Sequence, residues 1–265
     1  MKILITGAHG FVGNRLMQDL DDTVAAPSMR GMSEEQIRNM IEKSRADVII
    51  HTAAISDVGT CEKDPGASYE ANVRLPLFLA KAAKEQKMIC FSSDQVYRGC
   101  AGEGSYKEED ASPCNVYGRH KLEMEQRVLD VKPDAVMLRA EWMYDYPTKR
   151  SNYLRMLLNE KQVLTFGKQY RGITYLREVA ENMPKIFMLP GGVYNFGSET
   201  KQTMYDITCE MLHFLKSDRK PEEVPPAHNL WMDCTKAKER GILFSDAKEG
   251  LKRCLKDYHL AKDRE

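Results

Sequence analysis

Tyr117 and Lys121 stand four residues apart, a spacing that places both on one face of a helix. A free phenol, with a pKa of about 10, is a poor acid or base at neutral pH. An ammonium one turn away favours phenolate and is expected to draw that pKa down towards a working range. The spacing alone is cheap: Tyr258 and Lys262 repeat it near the far end, where it reads as ordinary helix surface. Order sets Tyr117 apart. Glycines at 7, 10 and 13 come first, then an apolar run ending in Ser92, Ser93 and Asp94, then the Tyr–Lys segment. Ser93 is placed to hold a carbonyl or hydroxyl oxygen by a short hydrogen bond. Tyr117 would exchange a proton with that oxygen while a nicotinamide exchanges hydride with its carbon. Lys121 could also reach the ribose hydroxyls of such a cofactor.

These residues need a frame, and the opening MKILITGAHGFVG supplies its first piece. An apolar run that turns through spaced glycines into a helix is how a parallel α/β domain begins a dinucleotide site. Gly7 allows the tight turn, Gly10 leaves room for a pyrophosphate, and Gly13 lets the helix pack close to the strand. His9, Phe11 and Val12 share the turn and count with the glycines as candidate cofactor contacts, as do Tyr117 and Lys121. A glycine-rich turn with no ligand is the plainer alternative. The second strand, TVAAP, ends in Ser28, Met29 and Arg30 with no carboxylate to take ribose hydroxyls. Arg30 either pairs with a 2′-phosphate, which favours NADP over NAD, or is a solvated loop arginine. Ala53 and Ala54, after the strand DVIIH, are small enough to lie beside a cofactor.

Between these pieces the pattern predicts a helix from Phe11 to about Leu20 and another in SEEQIRNMIEKSR, with little room for a further strand–helix unit. SYEANVRLPLFLAKAAK, residues 68–84, reads as one long helix that Pro76 bends or starts. Asn72 stands inside it without a propensity reason. After MICF, a polar glycine-bearing loop leads to the helix of Tyr117 and Lys121, and AVML is the next strand. KQVLTF and GGVYNFGS read as strands; YLREVAENMPKIF and TMYDITCEMLHFLK read as helices. The stretch past Thr200 is expected to be a mostly helical, partly independent lobe.

Thirty-nine basic residues balance thirty-nine acidic ones, which lends no support to a nucleic-acid or anionic-membrane partner. No apolar run approaches the roughly 20 residues of a spanning helix, and the glycines cut ILI too early for a signal peptide. Seven scattered cysteines indicate neither disulfide framework nor zinc knuckle. The expectation is a cytoplasmic protein with reduced thiols and no protein-ligated catalytic metal.

ITGAHGFVG, VIIHTAAISDV, YEANVRLP, FSSDQVYRG, the Tyr117–Lys121 segment, LRAEWMYD, RGITYLREVA, GGVYNFGS and NLWMDCTKAK follow one another in a familiar order. In them the chain resembles an extended short-chain dehydrogenase/reductase, nearest the dTDP-4-dehydrorhamnose reductase group. The resemblance implies a Rossmann-type parallel sheet flanked by helices, with a smaller, mostly helical C-terminal substrate-binding lobe. Residues 1–140 and about 165–200 would form the cofactor domain; about 141–164 and 201–265 would form the lobe. It implies that Ser93 is the catalytic hydroxyl, Tyr117 the proton donor and Lys121 its partner, with Asn72 supporting the site as a further cofactor contact and Asp94 tuning it. Departures are Ser93 for the usual threonine, Gln95 after the aspartate, and PPAHNLWMD in place of an arginine–proline pair. The catalytic set is intact and the substrate contacts are altered. The leading expectation is an NADP(H)-dependent reductase of a nucleotide-activated 4-keto sugar, with NAD and other small carbonyls as variants. An epimerase or dehydratase of the superfamily is the alternative, as is a non-catalytic regulatory subunit like that of methionine adenosyltransferase. The sequence leaves open the exact sugar and nucleotide, a homodimer, and a metal at any subunit interface.

Overall fold

Four buried residues, Ile3–Thr6, form β1. A strand covered on both faces has no reason to alternate polar with apolar. The computed structural model describes residues 1–148 and 150–260; Lys262 of the second Tyr–Lys pair lies outside them. After β1 the chain runs through α1 (Phe11–Asp19), β2 (Thr23–Ala25), α2 (Glu34–Ser44) and β3 (Val48–His51). Ser33 and Gln36 cap the start of α2 reciprocally. β2 and β3 flank β1 on opposite sides, both parallel to it. With no unit between β2 and α2, the winding reverses between β1 and β3, and such a reversal opens a crevice at the strands' carboxyl ends.

The long helix expected over 68–84 is broken. α3 (Val58–Lys63) and α4 (Pro65–Tyr69) lead into a π-helical turn, Glu70–Arg74, before α5 (Leu75–Ala82). Pro76 has no N–H for the carbonyl four residues back, and the turn before it widens, so that Leu75 N–H bonds Glu70 O. Then come β4 (Lys87–Ser93), α6 (Val116–Val131), β5 (Val136–Ala140), β6 (Trp142–Tyr144), α7 (Tyr153–Leu158), β7 (Thr165–Phe166), β8 (Ile173–Tyr175), α8 (Leu176–Ile186) and β9 (Gly192–Phe196). The chain ends with α9 (Met204–Phe214), β10 (Glu222–Glu223), α10 (Thr235–Lys238) and α11 (Ala247–Asp257). The main sheet has the order β2-β1-β3-β4-β5-β9, all parallel.

One face of this sheet packs Ile3, Ile50 and Leu138 against Leu16 of α1 and Val179 and Met183 of α8. The other packs Leu4, Ile49 and Met137 against Ile37, Leu79 and Met124 of α2, α5 and α6. A further core around Tyr144, Tyr153, Ile173, Met211 and Leu251 joins β6, β8, α7, α9 and α11.

One expectation about the second half is corrected. β7 and β8 stay out of the main sheet: β8 pairs with β6, and β7 with β10, which offers only two residues, so the strand expected over KQVLTF shrinks to Thr165–Phe166. The stretch past Thr200 is mostly helical and partly independent: α9 and α11 belong to the further core, while Ala237 and Ile242 belong to the core beneath the main sheet. The two cores are also pinned by a charge. Arg15 of α1 donates to Asp19 at 2.7 Å, to Asp145 at 3.2 Å and to the Tyr258 hydroxyl at 2.6 Å.

Candidate active site

A cleft of about 730 Å³ opens at the carboxyl ends of β1, β3, β4 and β5. Gly7, Gly10, Phe11, Val12, Ala53, Ala54, Ser93, Tyr117 and Lys121 all line it. Gly7 has φ +70°, and a Cβ there would meet the Ala53 backbone nitrogen at 2.7 Å. Gly13 does not face the cleft; it lets α1 pack on the turn, where a Cβ would stand 2.2 Å from Gly7 O. α1 starts at Gly10 with no side-chain cap and no acid in its first turn. Its first N–H groups and partial positive charge therefore suit an anion, and the cradle fits a dinucleotide pyrophosphate. His9 lines an adjoining groove with Arg15, Asp145 and Arg150. Ser28 and Arg30 are exposed beyond β2, outside the cleft lining. A second cavity, about 640 Å³, lies past β9, and none of Ser93, Tyr117 and Lys121 lines it.

Strand pairing and one glycine bring the catalytic candidates together. Ser93 ends β4, opposite Ala140 of β5. α6 begins at Asn115, whose side chain accepts from Gly118 N at 2.7 Å. At Gly118 a Cβ would meet Gln95 O at 2.4 Å, so only glycine lets α6 lie this close to the turn after Ser93. One turn beyond Lys121, buried Glu125 accepts from Arg139 of β5 at 2.7 and 3.0 Å and from Ser92 of β4. That buried pair sets the position of α6 against both strands. Lys121 Nζ donates to Phe91 O at 2.8 Å and stands 5.8 Å from the centre of the Tyr117 ring.

The electrostatics differ from the sequence expectation. Burial pushes the Tyr117 phenol up from its ordinary value, hydrogen bonding with Ser93 offsets part of this, and Asp94 adds to it. The Lys121 ammonium does not outweigh that burial. Burial instead lowers Lys121 itself to about 8, against the raising influence of Cys90 and Glu125. Desolvation wins because both groups lie beneath the cleft floor, where the charged form of each loses water.

Asn72 is buried but does not line the cleft. Its amide accepts from Ile55 N at 3.1 Å and donates to Ile55 O at 2.9 Å and Ser68 Oγ at 3.2 Å. It acts on the cleft through the 53–56 loop, which answers why an asparagine sits in that helix.

Sequence reasoning named Asp94 but missed Arg171 and Glu141, which line the same cleft. Asp94 accepts from Ser93 Oγ at 3.1 Å and from Arg171 Nη2 at 2.9 Å, and Arg171 lies over the Trp142 ring. Glu141, next to the strand partner of Ser93, is buried and accepts from Thr174 at 3.0 Å. The partners of Arg171 and Glu141 lie tens of residues away, so no local pattern marks them.

The parallel sheet, the glycine cradle and the second core define the fold of an extended short-chain dehydrogenase/reductase. The family model described as the RmlD substrate binding domain matches residues 1–260, and the chain belongs to that family. It is 28% identical over 243 residues to a dTDP-4-dehydrorhamnose reductase of Aggregatibacter actinomycetemcomitans, covering 84% of this chain and 82% of that one. It is 27% identical over 234 residues to the methionine adenosyltransferase 2 subunit beta of Danio rerio, covering 78% and 72%. Among solved structures, the dTDP-4-dehydrorhamnose reductase of Bacillus anthracis in complex with NADP superposes with a TM-score of 0.86 at 22% identity, covering 97% and 99%.

Proposed function

We propose that this protein reduces the keto group of a nucleotide-activated 4-keto sugar, with NADPH as the preferred cofactor. The observation that carries the reading is the meeting of Ser93, Tyr117 and Lys121 in the same cleft as the glycine cradle. A bound nicotinamide supplies the hydride for the carbonyl carbon. The Tyr117 phenol, kept protonated by burial, gives its proton to the carbonyl oxygen, so that C=O becomes CH–OH. Ser93 holds that oxygen beside the phenol. Lys121, fixed by Phe91 O, holds positive charge near the developing phenolate and offers hydrogen bonds to a cofactor ribose. Burial keeps the proton on the phenol at neutral pH and makes it a weaker acid, so the phenolate left after transfer would lean on the Lys121 charge and the bound nicotinamide.

The likeness to a methionine adenosyltransferase beta subunit favours a second reading, a cofactor-binding protein that serves another enzyme without turnover. The intact Ser93–Tyr117–Lys121 set supports the reductase over it. NADPH oxidation with dTDP-4-dehydrorhamnose and related keto sugars tests the two. The reductase reading expects stoichiometric NADPH loss, and Tyr117→Phe should lower turnover at least about 100-fold with cofactor affinity near unchanged. Product without net cofactor consumption would point to an epimerase. Activity surviving in the variant would remove Tyr117 from its role.

A further inference from the structure

Glu141 Oε1 and Arg171 Nε are both buried, and neither has a hydrogen-bond partner among the described residues. The two side chains line the same cleft as Ser93 and Tyr117. Arg171 is near enough for its charge to act on the Glu141 carboxyl, and Glu141 Oε1 lies against the next residue: a Cβ on Gly172 would stand 1.9 Å from it. Glycines at 172 and 197 leave the space that the Glu141 carboxyl fills, and Thr174 occupies its other oxygen. Asp94 holds one nitrogen of Arg171, and the Trp142 ring holds its plane. Side chains fixed this well, yet each left with one unsatisfied polar atom, carry a desolvation cost until something answers them.

We propose that Glu141 and Arg171 form a specificity pair that binds one hydroxyl of the substrate sugar, near the carbon that Ser93 and Tyr117 serve. A hydroxyl is the group that can answer both atoms. It donates to Glu141 Oε1 when that carboxyl is ionised, or accepts from it when it is protonated, and its remaining lone pair takes the Arg171 Nε–H. A carbonyl could answer both atoms only when the carboxyl is protonated, a methyl could answer neither, and a hydroxyl serves in both states. Burial raises the Glu141 pKa well above the usual carboxylate value, and the hydroxyl fits either form. The other source of the same chemistry is a trapped water, which would leave the pair indifferent to the sugar. This inference rests on the reductase reading and names what that reductase selects.

The test compares dTDP-4-dehydrorhamnose with its counterparts lacking the 2- or the 3-hydroxyl, using wild type, Glu141→Leu, Glu141→Gln and Arg171→Lys. The expected result is a KM about 10-fold higher for the full sugar in Glu141→Leu and Arg171→Lys, with kcat within about 3-fold. For one of the two deoxy sugars the same variants should leave KM unchanged. Glu141→Gln, similar in size and able to hydrogen bond, should recover most of the loss. An equal KM change for all three sugars, or none, overturns the proposal and leaves a water or a structural role. Calorimetry with dTDP-rhamnose and its deoxy counterparts, in the presence of NADP⁺, gives a readout without turnover. If wild type reduces no keto sugar, the reductase reading falls, and a hydroxyl-dependent affinity lost in Glu141→Leu still upholds the pair. Failure of wild type to bind any of these sugars overturns both.

Discussion

Gly118 and Gln95 are in such close contact that a single added methyl on the glycine would lie 2.4 Å from the glutamine carbonyl oxygen. Backbone stands on both sides, so neither can yield cheaply. Gly118→Ala should cost about 1–3 kcal/mol of stability. It should also move Tyr117 away from Ser93, lowering turnover about 10- to 100-fold. Gly66→Ala is the control, since its Cβ would meet only the Asp64 side chain at 3.5 Å. Urea unfolding and NADPH oxidation read both effects, and equal behaviour of the two variants would show that the close approach is not needed.

Lys121 links stability to pH. Its pKa is lowered to about 8 from 10.5, chiefly by burial. Between those values the unfolded chain holds a proton that the folded chain has released, so folding gains stability as pH rises through that window. Below about pH 8 the cost of burying the charge is fully present. Relative to Lys121→Met, wild type should therefore become steadily more stable from pH 8 to 10.5. Urea unfolding of both proteins across this range checks the slope, and a constant difference would show that the ammonium is not desolvated as described.

The Asn72 amide meets both backbone groups of Ile55, and Asn72→Ala removes both partners at once. Ile55 is only half-buried, so water recovers part of the loss, and the expected cost is about 1–3 kcal/mol. Hydrogen exchange at the Ile55 amide should quicken, and KM for the cofactor should rise as the loop carrying Ala53 and Ala54 loosens. Asn72→Asp, which keeps the acceptor alone, should fall between. Unchanged exchange in both variants would refute this account of the asparagine.

Arg30 provides the test of cofactor preference. If its guanidinium pairs with a 2′-phosphate, Arg30→Glu should raise KM for NADPH about 10-fold and leave KM for NADH nearly unchanged. Equal, small effects on the two cofactors would return Arg30 to being a solvated loop residue.

What could be read from the sequence was local or ordered along the chain. The strand into Gly7, the helix after Gly10 and the helix carrying Tyr117 and Lys121 are written in short-range periodicity, and each stands where expected. The order of glycine turn, Ser93 and Tyr117 was legible because a parallel sheet delivers successive strand ends to one edge. Gly118 was invisible in that reading, since a glycine inside a helix announces no reason for itself until Gln95 is seen against it. Glu141 and Arg171 were invisible for a different reason: their partners Thr174 and Asp94 lie 33 and 77 residues away and leave no spacing signal. The broken helix around Asn72 was half legible, as Pro76 marks trouble without saying that the backbone widens ahead of it. The β6–β8 and β7–β10 pairings involve two or three residues per strand, too few to outweigh propensity.

Arg15 adds a mechanical consequence. It grows from the helix whose first turn forms the cofactor cradle, and it grips Asp145 and Tyr258 from the other core. Parting the two cores there would give up the Arg15–Asp145 ion pair and the Tyr258 hydrogen bond, so one side chain pins the cradle helix and the second core at a single spacing.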